Sequence, residues 1–243
     1  MTLINWRGLA IFLAYYGVGA GSIALSSHFH PRAKEIIRKA YHLMACCSAF
    51  ILLFLFDQWY EAVFTLVIFA GLLYIVVPLG GRLPVIKRLS IGRKDSLGEV
   101  LAQAGLFVIT LAILLITIWG GLGQMFKFHI LVGMITLGIG DAAAALIGKR
   151  FGRRQLKLPF VDRNKSLAGS IAMIVTAFGS ITALLLIFTD MPLMMVIISA
   201  LVLAVVGTVI EAVSVAGIDT ITIPLGVSFA SVLLELLYNL LLG

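Results

Sequence analysis

The chain has 243 residues, of which 61% are hydrophobic and 12% charged, roughly half the charged share of a soluble domain. Its mean hydropathy of +1.13 excludes a monomeric soluble globule, whose surface water could not solvate, and a disordered chain, which carries far less apolar surface. What remains is an all-α, polytopic membrane protein. The net charge of +7 then reads as lysine and arginine in loops rather than as a nucleic-acid surface.

A bilayer crossing asks for about 20 apolar residues. In chain order the apolar runs predict eight spans: Gly8–Ser27, Ala40–Phe56, Tyr60–Leu79, Gly98–Gly120, Phe128–Gly148, Leu167–Thr189, Pro192–Val213 and Ile221–Leu242. The second is short and the fifth holds an acid, so seven spans or one broken helix is the alternative. Cys46 and Cys47 sit side by side in the second run, where helical neighbours point apart, and read as packing residues. No Pro/Ser-rich linker interrupts the chain, which is expected to form a single membrane domain over 1–243.

The cations set the orientation. Arg32, Lys34, Arg38 and Lys39 follow the first span, and Arg82, Lys87, Arg88, Arg93 and Lys94 follow the third. Lys149, Arg150, Arg153, Arg154, Lys157, Arg163 and Lys165 follow the fifth, and only Arg7 and Lys127 fall on the other side of eight alternating spans. The positive-inside rule makes the crowded face cytoplasmic and puts both termini outside.

Polar residues that an apolar span should exclude are the functional candidates, because an intramembrane charge costs at least a few kcal/mol. Glu35, Arg38, Lys39 and His42 recur at helical offsets and share one face at the mouth of the second span. Glu99 stands at the same membrane level, at the start of the fourth. Asp141 follows Gly138-Ile139-Gly140 and precedes Lys149 by eight residues, about 12 Å of helix. Those glycines are expected to loosen the helix and turn amides outward, as membrane ion sites do; a stripe of small packing residues is the structural alternative.

Next, Lys165 and Ser166 precede a long apolar run that continues through Gly169. Ser166 is placed to cap that helix, and a lysine, a hydroxyl and a helix N-terminus together make a phosphate cradle. Glu211 closes the seventh span, and Asp219 is expected in the turn Ser214–Thr220. With Asp141 these two acids offer oxygen ligands of the kind Mg²⁺ takes. All of these residues fall on the cytoplasmic side of the predicted topology, which suggests a metal–phosphate substrate from the cytosol beside a lipid held in the apolar bundle.

The ordered segments Glu35-x-x-Arg38-Lys39-x-x-His42, Gly140-Asp141 through Gly148-Lys149-Arg150-Phe151-Gly152, Lys165-Ser166-x-x-Gly169-Ser170 and Asp219-Thr220-Ile221-Thr222-Ile223-Pro224-Leu225 resemble the CTP-dependent lipid kinases. That family comprises dolichol kinase, the yeast-type diacylglycerol kinase and phytol/farnesol kinase, and is distantly similar to CDP-diacylglycerol synthase. Ala168 stands where dolichol and diacylglycerol kinases usually carry an acid, and this motif is most similar to the phytol/farnesol branch. Thr220 replaces the usual asparagine.

The resemblance implies phosphoryl transfer from CTP, or another nucleoside triphosphate, to an isoprenoid alcohol such as phytol, farnesol or a polyprenol. It implies Mg²⁺ on Asp141 and Asp219 with Glu211, a catalytic Lys165 with phosphate-binding Ser166 and Gly169, a triphosphate tail on Arg38 and Lys39, and an alcohol oriented by His42 or Glu35. The rival enzyme is a CDP-lipid-forming cytidylyltransferase; an intramembrane aspartyl protease matches only Gly138-x-Gly140-Asp141. A secondary transporter is the non-enzyme alternative, but it predicts midplane sites and an inverted repeat.

Overall fold

A computed structural model of the protein describes residues 5–30, 32–79, 97–155, 165–214 and 217–242. Eight helical spans among them are long and apolar enough to cross a membrane, which removes the seven-span alternative. The cations Arg82, Lys87, Arg88, Arg93, Lys94, Lys157 and Arg163 lie outside the described residues. The chain divides into two compact units, Met1–Gly121 and Leu122–Gly243.

The first unit holds α1 (Trp6–Phe29), α2 (Lys34–Leu55), α3 (Trp59–Leu79) and α4 (Leu97–Leu114), which runs on as a π-helical stretch, Leu115–Leu122. Asn5 starts the bundle. Its Oδ1 accepts from the Gly8 amide at 3.0 Å, and its Nδ2 donates to the Leu55 carbonyl at 3.1 Å, tying the start of α1 to the end of α2. Between the two helices the Tyr15 hydroxyl donates to the Met44 carbonyl at 2.7 Å and Tyr16 to Ser48 Oγ at 3.0 Å. Buried hydroxyls in an apolar bundle need such partners. Cys46 is buried and Cys47 half-buried. The α3–α4 pair closes in the same way: Tyr74 donates to the Leu101 carbonyl at 2.9 Å, and Gly120 leaves room for the Trp59 indole.

The second unit is organised around its first helix. After Gly123, whose φ of +108° sets a sharp turn, a short 3₁₀ segment (Gln124–Phe126) leads into α5 (Phe128–Ile135). A π-helical segment (Thr136–Asp141) then passes without interruption into α6 (Ala142–Phe151). Around this composite helix pack α7 (Leu167–Phe188), α8 (Leu193–Val213) and α9 (Asp219–Leu242). Every residue of α5 is buried, and an 18-residue apolar stretch within Gln124–Phe151 is 72% buried where the corresponding stretches of the other spans reach 39% at most, so it is the central helix of its unit.

Small residues let the neighbours approach, since helices in lipid associate by close packing. A Cβ at Gly133 would stand 2.2 Å from Ser228 Oγ and 2.5 Å from the Pro224 carbonyl oxygen, both on α9. One at Gly207 would stand 2.9 Å from Thr136 Cγ2.

Two expectations are corrected. The Gly138–Gly140 region is not an unwound break; it keeps helical bonding in a widened turn that holds one extra residue. Asp219 and Thr220 do not sit in the turn but open α9 itself, because Gly217, at φ +99°, completes the reversal two residues earlier.

The two halves of this packing are separable by substitution. Gly133→Ala is expected to lower stability in detergent by about 1–3 kcal/mol through overpacking, whereas Gly179→Ala, with nothing within 4 Å, is expected to leave the melting temperature unchanged.

Candidate active site

The junction of α6 and α7 fixes the first part of the site. Ser166 has extended backbone angles (φ −123°, ψ 150°), and its Oγ accepts from the Gly169 amide at 3.2 Å, the N-cap expected from sequence. Chain on both sides of the connecting segment is held: the Leu167 amide donates to the Arg154 carbonyl at 3.1 Å, and Gln155 pairs with Ser166 in an isolated antiparallel bridge. Three glycines make this approach sterically open. A Cβ at Gly148 would meet Ser166 Oγ at 2.9 Å, one at Gly152 would meet it at 2.5 Å, and one at Gly169 would meet the Ala144 carbonyl oxygen at 2.8 Å. The Gly148…Gly152 and Ser166…Gly169 motifs are therefore two sides of one contact.

Lys165, one residue before the cap, forms an ion pair between its Nζ and Glu211 Oε1, from the last turn of α8. Glu211 is buried, and its charge lies within range of the carboxylates of Asp141 and Asp219. Asp141 is 5% exposed at the end of the π-helical segment, and Asp219 is 9% exposed at the head of α9, where its Oδ1 accepts from the Thr220 amide at 2.9 Å. Four helices thus bring Asp141, Lys165, Ser166, Gly169, Glu211 and Asp219 to one end of the second unit.

The three acids expected from sequence as a metal set, Asp141, Glu211 and Asp219, stand near one another at this end of the unit. Among the described residues no three acidic, His or Cys side chains converge as a ready ligand group. Glu211 gives an oxygen to Lys165 instead. Asp141 and Asp219 suit a magnesium ion that carries phosphate and water oxygens and takes one or two protein carboxylates, and do not amount to an all-protein cage.

In the first unit, Glu35, Arg38, Lys39 and His42 occupy the first turns of α2. Arg38 is ion-paired with Glu35, each about a quarter exposed, while Lys39 is buried at 5% and His42 half-buried. Glu99 lies on the first turn of α4.

Sequence reasoning passed over one cluster. At the other end of α5, buried His129 accepts or donates at Nδ1 to Ser231 Oγ at 2.7 Å, and its Nε2 lies 2.8 Å from Glu235 Oε2. The rule that singles out Asp141, an ionisable side chain inside an apolar span, applies equally to His129 and Glu235.

Over 227 residues, 93% of this chain and 91% of its relative, the sequence is 25% identical to the phytol kinase of Synechocystis sp.. The chain is similar in sequence to a phytol kinase and, over shorter stretches, to dolichol kinases. It is 49% identical over 47 residues to the dolichol kinase of Saccharomyces cerevisiae, covering 19% of this chain and 8% of that one. It is 38% identical over 56 residues to the dolichol kinase of Schizosaccharomyces pombe, 23% of this chain and 10% of the other. The match over nearly the whole length is to a phytol kinase, the branch that the Ala168 motif resembles. No family model matches the chain, and no solved structure matches it.

The cap and the glycine contact can be tested apart from activity. Ser166→Ala is expected to cost about 1 kcal/mol of stability. Gly152→Ala, whose Cβ would also stand 2.2 Å from the Gly148 carbonyl oxygen, is expected to cost more, with both read by thermal unfolding in one detergent.

Proposed function

We propose that the protein is a membrane phosphotransferase that moves the terminal phosphoryl group of a nucleoside triphosphate, CTP in the first instance, to an isoprenoid alcohol such as phytol, farnesol or a polyprenol. Similarity over nearly the full length to a phytol kinase supplies the reaction class. The observation that carries the reading is the meeting of Asp141, Lys165, Ser166 and Asp219, from three separate helices, at one end of an apolar unit.

Phosphoryl transfer asks little covalent chemistry of a protein; catalysis is mainly positioning and neutralisation of charge on the phosphate oxygens. The N-terminus of α7, with Ser166 and Gly169, suits a phosphate through the positive end of its helix dipole, since the Leu167 and Gly169 amides themselves already donate to the Arg154 carbonyl and to Ser166 Oγ. Lys165 supplies a positive charge beside that N-terminus. Asp141 and Asp219 are the carboxylates that would hold magnesium, which when bound with the nucleotide would neutralise charge on its phosphates. We assign the cationic face of α2, Arg38 and Lys39, to nucleotide binding, and His42 or Glu35 to orienting the alcohol. The lysine- and arginine-rich loops support a cytoplasmic side for this chemistry.

Asp141→Asn keeps the size and polarity of the side chain but removes the charge. It is expected to insert and fold normally and to lose at least a hundredfold in phosphorylation of phytol, a loss on the scale of about 3 kcal/mol of transition-state stabilisation. An Asp141→Asn protein as active as the parent, with the same Mg²⁺ requirement, would contradict the assignment.

A further inference from the structure

Glu211 is the most buried acid at this end of the second unit, 3% exposed, on the last turn of α8. Its position beside Asp141 and Asp219 invites a reading as a third metal ligand. The ion pair with Lys165 argues otherwise. One carboxylate oxygen is committed to the lysine Nζ, and no group of three ligating side chains forms among the described residues.

From the lysine's side the contact has a different use. The backbone at Lys165 is held in place by the Ser166 cap and the Leu167–Arg154 hydrogen bond, but a lysine stem has four rotatable carbons and a compact ammonium head. Something must fix that head, and Glu211 touches it. An ammonium has three donors, so a carboxylate that holds one leaves two for phosphate oxygens. The same contact cancels the charge that a buried Glu211 would otherwise add to Asp141 and Asp219.

We propose that Glu211 is a positioning residue that holds the Lys165 ammonium beside the head of α7, ready to share its remaining donors with the phosphates of the incoming nucleotide, and is not a ligand to the metal. This rests on the kinase reading for its activity arm. Nothing covalent happens at Glu211; it keeps its pairing while the phosphates arrive.

The test uses the full-length protein in detergent with Glu211→Gln, Glu211→Ala, Lys165→Ala and the double variant. Two readouts are taken: phytol phosphorylation with CTP, and Mn²⁺ binding in the presence of CTP followed by electron paramagnetic resonance. Glu211→Gln keeps an acceptor for the lysine and so guards against simple misfolding. Expected for Glu211→Gln is a kcat lower by on the order of tenfold, as misplacement of a catalytic group produces, with Mn²⁺ affinity within about twofold of the parent. Glu211→Ala is expected to lose little further activity in the Lys165→Ala background, because paired residues act as a unit.

A tenfold or greater loss of Mn²⁺ affinity in Glu211→Gln would overturn the proposal, as would unchanged kcat or losses that multiply in the double variant. If the parent protein transfers no phosphate to any alcohol, the kinase reading fails, and the Mn²⁺ measurement alone then judges whether Glu211 is a ligand.

Discussion

A charge placed in an apolar helix bundle must find a partner or be neutralised, and the second unit of this protein is arranged around that constraint. Three acids, Asp141, Glu211 and Asp219, are carried to one end by three helices with little solvent contact. Removing one member of a buried ion pair leaves an uncompensated charge, at a cost of about 3–5 kcal/mol. The Lys165–Glu211 pair therefore ties α7 to α8 at the level where the remaining acids sit. Asp141 and Asp219 stand beside that lysine and the Ser166-capped N-terminus of α7, and the proposed metal–phosphate site rests on this arrangement.

The close approach of α6 and α7 is what makes the arrangement geometrically available. Gly148, Gly152 and Gly169 remove side chains from the contact, so the Ser166 hydroxyl lies between the two backbones and still caps its own helix. Lys165 is one residue from that cap and inherits its fixed position. At the other end of the same central helix, His129 meets Ser231 and Glu235 of α9, and Gly133 receives Ser228, so α5 is secured along its length before it widens at Thr136–Asp141. Segments of this widened kind often accompany functional sites, and here the segment ends on Asp141.

Much of this was legible in the sequence, and what was not has a common cause. Span limits follow from hydropathy alone, since each apolar run has to end where charge begins; Leu167–Phe188 and Leu193–Val213 lie within a residue of expectation at either end. The Ser166 cap was legible because capping is a local affair of three or four residues. The Lys165–Glu211 pair was not, for its members are 46 residues apart and only the packing of α7 on α8 joins them. Gly138-Ile139-Gly140 could signal either a break or a widened turn, and the packing of Gly140 against Met173 and Ala177 favours continued helix. His129 and Glu235 were open to the same argument as Asp141.

The central claim is that this end of the second unit moves phosphate rather than nucleotide onto lipid. The direct measurement is to incubate the purified protein and Mg²⁺ with CTP labelled either at the γ-phosphate or in the cytidine, against phytol, farnesol, a polyprenol and diacylglycerol, and to extract the lipid. The account predicts γ-label in an isoprenoid phosphate and no cytidine in any lipid product. Cytidine carried into the lipid fraction, with the γ-label left in the aqueous phase, would contradict it.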